Sequence, residues 1–589
     1  MNIGWSWVNT LPAAFTLAGP WLILKIAGAL SLIGISNPGT FRRLREMLAA
    51  GEWIGLFQWA IEWFVALGAI AVVLLHPNPW VRCFWGVLIA VSSGAGFLYA
   101  HISGFHFSIH DFISGWTQRR SVRSVFAFYP VRSALALVIA VIFFALFACP
   151  PFEHPPTLKI ALSYWSLNLL PTLSILLIIG EFQLQNGATL TPMPTQFTLL
   201  SGCILGSYKI FRFKPRPRQE VVWRPVPGFD KQNIVLLVDE SIRGDYVSLM
   251  PGNKLTPQLP KLAEQFVNFG PAVSGGNMST YSNAILRFGV RLDELKETAN
   301  LNPTLFRYAK EAGFRTVYID AQSELLKSGR ILVNFMSLAE RVDIDAYYNT
   351  REGVDSDFEL ADIIATELAG KQPVFIYATK NGAHFPYEWS YPPEGELPPV
   401  RKRKTWGRLN ARHIAAYRKA LLWSVDKFMT YFFQRVDLSR TTLIYTSDHG
   451  QLFRDGEFPH GQVLNPDPRT GIVPLLVHSS DPKKRQAFEQ GAQRCRGRAS
   501  HFLIAPTVYE LMGYAREDIA KKYPCSLFTG TIAMPVMTSG DIFGLFKSPS
   551  RLTEVDPSKD YFENEAQPEV SGVGKPPQPQ GSDQVLTLV

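Results

Sequence analysis

Hydrophobic positions fall along this chain in two regimes. Up to about residue 182 they form near-continuous runs, near 11–36, 53–76, 79–101, 132–150 and 158–180. Each matches the roughly 20 apolar residues that cross a bilayer as a helix. Trp and Tyr gather at the run ends, where amphipathic rings sit at a membrane–water interface. Pro20 and Pro171 interrupt the first and last runs, a break that membrane helices tolerate when neighbours satisfy the freed carbonyls. Recurrence with so few charges argues against a soluble helical core, and the first run is too long and lacks the basic start of a signal peptide. The pattern predicts an integral membrane protein with about five spans in a transmembrane domain over 1–182.

Beyond residue 182 the apolar runs shorten and begin to alternate in period. Residues 183–220 read as a linker and bridging segment, rich in Gln, Asn, Gly, Thr and Pro and ending in a basic-proline stretch at 214–218. From 221 to 548, strands are predicted at 233–238, 316–319, 373–377, 441–445 and 473–476. Helices are predicted at 259–266, 303–312, 413–433 and 504–512. Such alternation predicts an α/β domain whose mostly parallel sheet is flanked by helices. Sites in that architecture lie at the carboxyl ends of strands. Glu240, the segment 380–384, and Asp448 with His449 all occupy such ends. Residues 549–589, rich in Pro, Gly, Gln and Ser without periodicity, read as a disordered tail.

Charge and cysteine content narrow the partners. The net charge of +9 includes the basic stretches at 214–218 and 401–404, neither interleaved with aromatics, so they read as solvated loop charge and no nucleic-acid partner is expected. Of the five cysteines, only Cys495 and Cys525 lie well inside the soluble part, which allows one disulfide and no disulfide framework. Arg42, Arg43 and Arg45 follow the first span, and Arg119, Arg120 and Arg123 follow the third. By the positive-inside rule those loops, and with five spans the C-terminal domain, would be cytoplasmic. His106 and His110 beside Asp111 read as part of an interfacial amphipathic helix rather than as a metal site.

Three residues of metal-ligand type share one placement. Glu240, Asp448 and His449 each follow an apolar strand, and together they supply the number and kind of donors of a zinc site with an open position. Alone, each would be read as a surface or capping residue; common placement turns them into a candidate site. Residues 273–283 are rich in Gly and hydroxyls and lead into a helix-like run at 284–286. A hydroxyl at a helix N-terminus is an ordinary cap. Beside a metal it becomes a nucleophile, in a position where the helix also favours a phosphate.

Glu240, Ser241, Ile242, Arg243, Gly244 and Asp245 form one motif, and Ser274, Gly275, Gly276, Asn277, Met278, Ser279, Thr280, Tyr281 and Ser282 a second. Ser447, Asp448, His449 and Gly450, followed by His460 and Gly461, form a third. Together they resemble the phosphoethanolamine transferases, membrane-anchored members of the alkaline phosphatase/sulfatase superfamily. Tyr417, Ala420, Leu421, Leu422 and Asp426 on the long helix fit the same pattern, as do Ser500 and His501 ahead of Pro506 and Thr507. The resemblance implies an α-helical transmembrane domain joined to a sulfatase-like α/β domain, placed in a bacterial inner membrane with the catalytic part in the periplasm, against the arginine count. It implies one tightly bound Zn2+, with room for a second, held by Glu240, Asp448, His449 and the nucleophile Ser279, or Thr280 should the register shift by one. His384 and His460 are implied as catalytic histidines on the phosphate or a second zinc, with Asn277, Lys380 and Asn381 joining them in substrate binding.

This chain departs from the family pattern in three ways. Gly275 stands where the family often has a cysteine, the soluble domain lacks the family's several disulfides, and the nucleophile is Ser rather than Thr. The implied reaction moves phosphoethanolamine from phosphatidylethanolamine to an envelope glycolipid or glycan, lipid A-like in the first instance, through a phosphoserine, in a monomer among membrane lipids. The alternatives are a glycerol-phosphate transferase or a phosphodiesterase of the same superfamily, and a non-catalytic membrane-anchored interaction module. A sulfatase would need a Cys-x-Pro-x-Arg-type modification motif, which the Ser279 region lacks.

Overall fold

The computed structural model describes residues 11–38, 40–50, 53–103, 109, 112, 126, 130–151, 169–184, 193–212, 217–322, 340–351, 353–384, 387–392, 409–453, 459–461, 466–531, 533–544 and 550–561. The chain divides into two compact units, Met1–Phe213 and Lys214–Val589. The expectations for the His106–Asp111 segment, for the basic stretch at 401–404 and for residues 562–589 fall outside the described residues.

The first unit consists of helices α1 (Leu11–Ser36), α2 (Thr40–Ala50), α3 (Trp53–Leu75), α4 (Pro79–Ser103), α5 (Pro130–Ala148), α6 (Leu169–Leu184) and α7 (Thr195–Arg212). Among the described residues, three helices are long and apolar enough to cross a membrane: Gly55–Leu75, Pro79–His101 and Pro130–Ala148. Trp21–Ser36 and Leu169–Gln183 are apolar but shorter, so the five expected spans resolve into three long helices and two shorter ones. Small residues bring α4 and α5 together: a Cβ on Gly94 would lie 2.7 Å from the Ala136 carbonyl oxygen. Buried cations close helix ends that no water could satisfy. Lys25 Nζ donates to the Cys149 carbonyl at 2.7 Å, and Arg82 Nη1 to the His76 carbonyl at 2.7 Å.

The stretch expected to be a linker carries α7. Its start is held by Asn37, whose Oδ1 accepts the Thr195 N–H at 2.9 Å, and Gln196 Nε2 donates to Ser36 Oγ at 2.7 Å. The polar residues that looked like loop composition are thus the hydrogen-bonding contacts of a packed helix.

The second unit is built on a seven-stranded sheet of order β2-β7-β6-β1-β5-β3-β4. Its strands are β1 (Asn233–Asp239), β2 (Val267–Val273), β3 (Arg315–Asp320), β4 (Ala346–Asn349), β5 (Val374–Thr379), β6 (Thr441–Ser447) and β7 (Ile472–Ser479). The pairs β1–β5, β1–β6, β3–β5 and β3–β4 are parallel, whereas β6–β7 and β2–β7 are antiparallel. Central β1 is apolar from Ile234 to Val238, in keeping with the cover on both of its faces. Ile234, Leu236 and Val238 enter one core with Phe306, Tyr377 and Val508; Val235 and Leu237 enter the other with Ile364, Tyr417 and Phe432. The covering helices are α8 (Ser279–Phe288), α9 (Leu295–Leu301), α10 (Leu305–Glu311), α11 (Ser356–Leu368), α12 (Leu409–Leu421), α13 (Phe428–Arg435), α14 (Pro482–Arg494), α15 (Ile504–Leu511) and α16 (Arg516–Ala520).

Several local expectations are corrected. The helix expected at 259–266 is a 3-10 segment, Leu259–Gln265, with Pro260 in its first turn and its leading N–H groups held by Asp426 Oδ1, at 2.8 Å from Gln258 and 2.9 Å from Leu259. The long helix expected at 413–433 is interrupted by a π turn, Leu422–Lys427, between α12 and α13. Of the tail expected to be disordered, the described part, 550–561, forms strand β9 (Arg551–Glu554), which pairs with β8 (Val536–Ser539), and Val555 and Tyr561 are buried against Val273, Ile472 and Met537. A few well-placed apolar side chains suffice there, and average composition hides them. Cys495 and Cys525 are free thiols.

Candidate active site

The carboxyl ends of β1, β5 and β6 lie level, because Val238 pairs with both Thr379 and Thr446, and Asp239 with Ser447. Each strand therefore delivers its next residues to one place: Glu240, the Lys380–His384 turn, and Asp448 with His449. Ser241 has φ +61, in the left-handed region that costs a non-glycine residue about 1 kcal/mol or more. Three contacts hold it there. Its N–H donates to Asp448 Oδ1 at 3.0 Å, its Oγ donates to Glu240 Oε1 at 2.7 Å, and its carbonyl accepts from Tyr417 at 2.8 Å. Gly382, at φ +55, closes the opposite wall; a Cβ there would lie 2.3 Å from Asp239 Oδ1 and 2.6 Å from the Glu240 carbonyl oxygen.

The ligand-type atoms are oriented from behind. Asp448 Oδ1 accepts from the N–H of Ser241 and, at 2.7 Å, of His449, while its Oδ2 is buried without a hydrogen-bond partner. His449 Nδ1 lies 2.8 Å from the Gly450 carbonyl, which can only accept, so Nδ1 carries the proton and Nε2 is the ligand face. Ser279 Oγ is 3.1 Å from Glu240 Oε2 and 3.3 Å from His449 Nε2; His449 Nε2 is 3.5 Å from Glu240 Oε1 and 3.7 Å from Asp448 Oδ2. Tetrahedral zinc, with bonds near 2.1 Å, separates its ligands by about 3.4 Å. Glu240, Asp448 and His449 therefore form a donor set that fits zinc, and Ser279 Oγ lies at the open side.

Electrostatics agree. Burial opposes ionisation of Glu240, but the hydrogen bond and charge of His449 outweigh it and hold this carboxyl well below the usual range. Burial, then the facing Glu240 carboxylate, pushes the Asp448 carboxyl up. Burial alone would neutralise His449, yet Asp448 and Glu240 raise its ring above the ordinary value. Two carboxylates sharing one buried imidazole keep a proton among them, and a divalent cation supplies the charge that the proton otherwise provides.

Ser279 is the first residue of α8, after Met278 in extended conformation. Asn283 Nδ2 donates to the Ser279 carbonyl at 3.0 Å and is itself held by Tyr377, so the helix start is tied to β5. Thr280, the alternative hydroxyl, is also buried, but the contacts to Glu240 and His449 belong to Ser279. His460 stacks on His449 with ring centroids 4.2 Å apart, and its Nδ1 lies 3.2 Å from Gln451 Oε1. Burial, then His449, holds the His460 ring well below its ordinary value, so it is neutral. His384 is half-buried and lies close enough to interact electrostatically with both Glu240 and His460, which brings it to the same centre. Asn277 is buried and its carbonyl accepts the Gly461 N–H at 2.9 Å; Asn381 is half-buried, with its N–H on Asp357 Oδ1 at 2.7 Å.

Lys380 occupies a place other than the expected substrate contact. Its fully buried Nζ lies 2.5 Å from Asp239 Oδ2 and 3.7 Å from Asp357 Oδ2, and it donates to the Ser424 carbonyl in the π turn. With these partners taking up its ammonium, it braces the ends of β1 and β5. Sequence reasoning also missed Gln322, whose Nε2 donates to Glu240 Oε2 at 2.9 Å and to the Lys380 carbonyl at 2.7 Å. Gln322 follows the end of β3, so the strand-end rule applied to the 316–319 run would have found it. His501, which the sequence marked as part of the family pattern without a role, lies 3.1 Å from Ser282 Oγ through Nδ1 and 2.9 Å from Thr446 Oγ1 through Nε2, and thereby ties α8 to β6.

The chain is similar to several known proteins. The sulfatase family model matches residues 232–514. Over 302 residues the chain is 26% identical to the Kdo(2)-lipid A phosphoethanolamine 7''-transferase of Salmonella typhimurium, an alignment that covers 48% of this chain and 52% of that protein, so the chain spans about half the length of this curated relative. Among solved structures, the integral membrane lipooligosaccharide phosphoethanolamine transferase A of Neisseria meningitidis is matched over 85% of this chain and 98% of that one, at 16% identity and a TM-score of 0.61. A zinc complex of the C-terminal periplasmic domain of EcEptC from Escherichia coli is matched over 56% of this chain and 94% of that one, at 19% identity and a TM-score of 0.44. The chain is thus similar to the sulfatase family through residues 232–514, and over 85% of its length it shares the fold of the Neisseria membrane protein.

Proposed function

We propose that this protein transfers phosphoethanolamine from phosphatidylethanolamine to an envelope glycolipid of the lipid A type, with Ser279 as the covalent carrier. The reading is carried by the placement of Ser279 Oγ at the first turn of α8, 3.1 Å from Glu240 Oε2 and 3.3 Å from His449 Nε2. A hydroxyl so placed has little use except attack on an electrophile that the helix N-terminus also attracts, and a phosphodiester is one. The curated relative's name and the apolar helices of the first unit extend the reading to a lipid donor and a lipid A-type acceptor. The catalytic unit then works in the periplasm.

Zinc held by Glu240, Asp448 and His449 lowers the pKa of the Ser279 hydroxyl and stabilises charge on the phosphoryl group when it is bound. The chain's own residues do the rest. Ser279 Oγ loses its proton and bonds to phosphorus, the phosphorus–oxygen bond to diacylglycerol breaks, and that oxygen takes up a proton. An acceptor hydroxyl then gives up its proton and its oxygen bonds to phosphorus, the Ser279–phosphorus bond breaks, and the Ser279 oxygen takes up a proton in its place. Neutral His460, with Nδ1 directed at Gln451, presents Nε2 as a proton acceptor, and His384 is placed to offset charge on the phosphoryl oxygens. The order of these two histidines in the proton transfers is part of the proposal.

The test is mass spectrometry of envelope glycolipids and of the protein itself from cells expressing the wild type or Ser279→Ala. A phosphoethanolamine increment on a glycolipid and on the peptide containing Ser279, both lost in the variant, is expected. Glycerol phosphate on Ser279 would point to the glycerol-phosphate transferase reading, release to water alone to a phosphodiesterase. No adduct together with metal-free protein would point to the non-catalytic module.

A further inference from the structure

Strand β8 lies beyond the stretch matched to the sulfatase family and takes part in none of the steps above, yet it touches both halves of the active site. Thr538 gives two hydrogen bonds to a single acceptor, the carbonyl of Gly275: its N–H at 2.9 Å and its Oγ1 at 2.6 Å. Gly275 stands four residues before Ser279, in the loop that leads into α8. The loop is closed on its other side by α8 itself, since a Cβ on Gly275 would lie 2.7 Å from Ile285 Cγ2. Its remaining carbonyls are satisfied locally or from the site: Gly276 by Ser274 Oγ at 2.7 Å, Asn277 by the Gly461 N–H at 2.9 Å, and Met278 by the N–H of Ser282 at 3.0 Å. Thr538 is therefore a contact through which the body of the domain grips the nucleophile loop at Gly275.

The neighbouring residue reaches the metal-ligand loop. Met537 is fully buried, and a Cβ on Gly471 would lie 2.7 Å from its sulfur. The Gly471 carbonyl accepts the Ser274 N–H at 2.8 Å, and the Thr470 carbonyl accepts the Gly450 N–H at 2.8 Å. One strand thus holds the loop of Ser279 and the loop of Asp448 and His449 against each other. β8 is in turn secured by β9, whose neighbours Val555 and Tyr561 close the small core around Met537.

We propose that Thr538 is a positioning residue, which sets the backbone from which Ser279 presents its hydroxyl to Glu240 and His449. The inference rests on Ser279 being the nucleophile, as in the proposed function. The backbone N–H of Thr538 keeps the strand in register, so the hydroxyl can be removed without dislodging it. A shift of about 1 Å at a nucleophile costs about 100-fold in rate. The loss of one of two bonds to Gly275 is therefore expected to lower kcat by about 10- to 100-fold.

The experiment compares full-length wild type, Thr538→Val and Thr538→Ser in detergent micelles containing phosphatidylethanolamine, and in parallel on a chromogenic nitrophenyl ester of phosphoethanolamine. Thr538→Val is expected to lose kcat with KM and zinc content unchanged, and Thr538→Ser to recover to within about threefold of wild type. Amide hydrogen exchange over residues 274–280 is expected to quicken in Thr538→Val and to return in Thr538→Ser, a readout that needs no substrate. Unchanged kcat and unchanged exchange in Thr538→Val would overturn the proposal, as would equal impairment of both variants. If wild type turns over neither ester, the transferase reading fails and exchange alone decides the role of Thr538. If Thr538→Val does not fold, the Thr538→Ser result decides it, wild-type-like kcat and exchange supporting the role and impaired values overturning it.

Discussion

Ser279 Oγ lies 3.3 Å from Nε2 of His449, and the opposite nitrogen of the same ring is locked onto the Gly450 carbonyl at 2.8 Å. The ring can therefore turn only one face to the nucleophile. That face serves a metal when it carries no proton, whereas the facing Asp448 and Glu240 carboxylates, against the effect of burial, favour one. Zinc affinity is expected to weaken as pH falls, by about tenfold per pH unit for each displaced proton. Competition with a chromophoric chelator at several pH values measures this. A flat profile would argue against His449 as a ligand.

Lys380 is expected to act on stability rather than on substrate affinity. Lys380→Met leaves Asp239 buried without its cation, a change that costs about 3–5 kcal/mol. Thermal unfolding of the full chain, with KM measured on the surviving fraction, separates the two roles. A stable variant with a raised KM would restore the substrate-binding reading.

Gly382→Ala places a methyl 2.3 Å from Asp239 Oδ1, at a backbone φ of +55 that disfavours any side chain. The carboxylate is held by Lys380, Tyr445 and the Glu240 N–H, and the Glu240 backbone lies within 2.8 Å of the added methyl. The variant is expected to lose about 2 kcal/mol or more and to bind zinc less well, because the strain falls on the residue before the first ligand. Zinc content after dialysis against buffered metal is the measure, and wild-type retention would show that the wall can yield.

His501 gives the domain a pH dependence of its own. Burial lowers its ring from an ordinary value of 6.5 to about 3, so the neutral form bridges Ser282 and Thr446. Between those values the unfolded chain binds a proton that the folded chain does not. Stability therefore falls as pH drops from about 6.5 toward about 3, by about 1.4 kcal/mol per pH unit from this residue. Unfolding of wild type and His501→Asn across that range should show a shallower slope in the variant; identical slopes would remove His501 as the source.

Orientation is tested by a C-terminal fusion. A reporter active only outside the cytoplasm is expected to work, although the arginines at 42, 43, 45, 119, 120 and 123 favour the opposite arrangement. Inactivity, with a cytoplasmic reporter active at the same position, would sink the periplasmic transferase reading.

Much of this protein was legible along the chain. The apolar runs identified a membrane unit, and the uninterrupted run of β1 marked a strand buried on both faces, because burial of apolar surface is written in local spacing. Glu240, Asp448 and His449 could be found by the same logic, since a strand end constrains where the next side chain goes. The interrupted long helix shows the limit. Its sequence keeps helical periodicity through Leu422–Lys427, where the structure has a π turn whose Ser424 carbonyl accepts from Lys380, a partner far away in sequence.

What the sequence by itself determined was which residues are apolar at what period, and hence the strands and helices whose ends carry the chemistry. Tertiary structure alone decided which polar side chain meets which. Lys380 turned from a substrate contact into a brace because Asp239, far from it in sequence, lies on the adjacent strand. Gln322 became a partner of Glu240, and strand β8 became a support for the nucleophile loop through Thr538. Such pairings depend on strand order and on distances of a few ångströms between residues tens to hundreds of positions apart, and no local pattern encodes them.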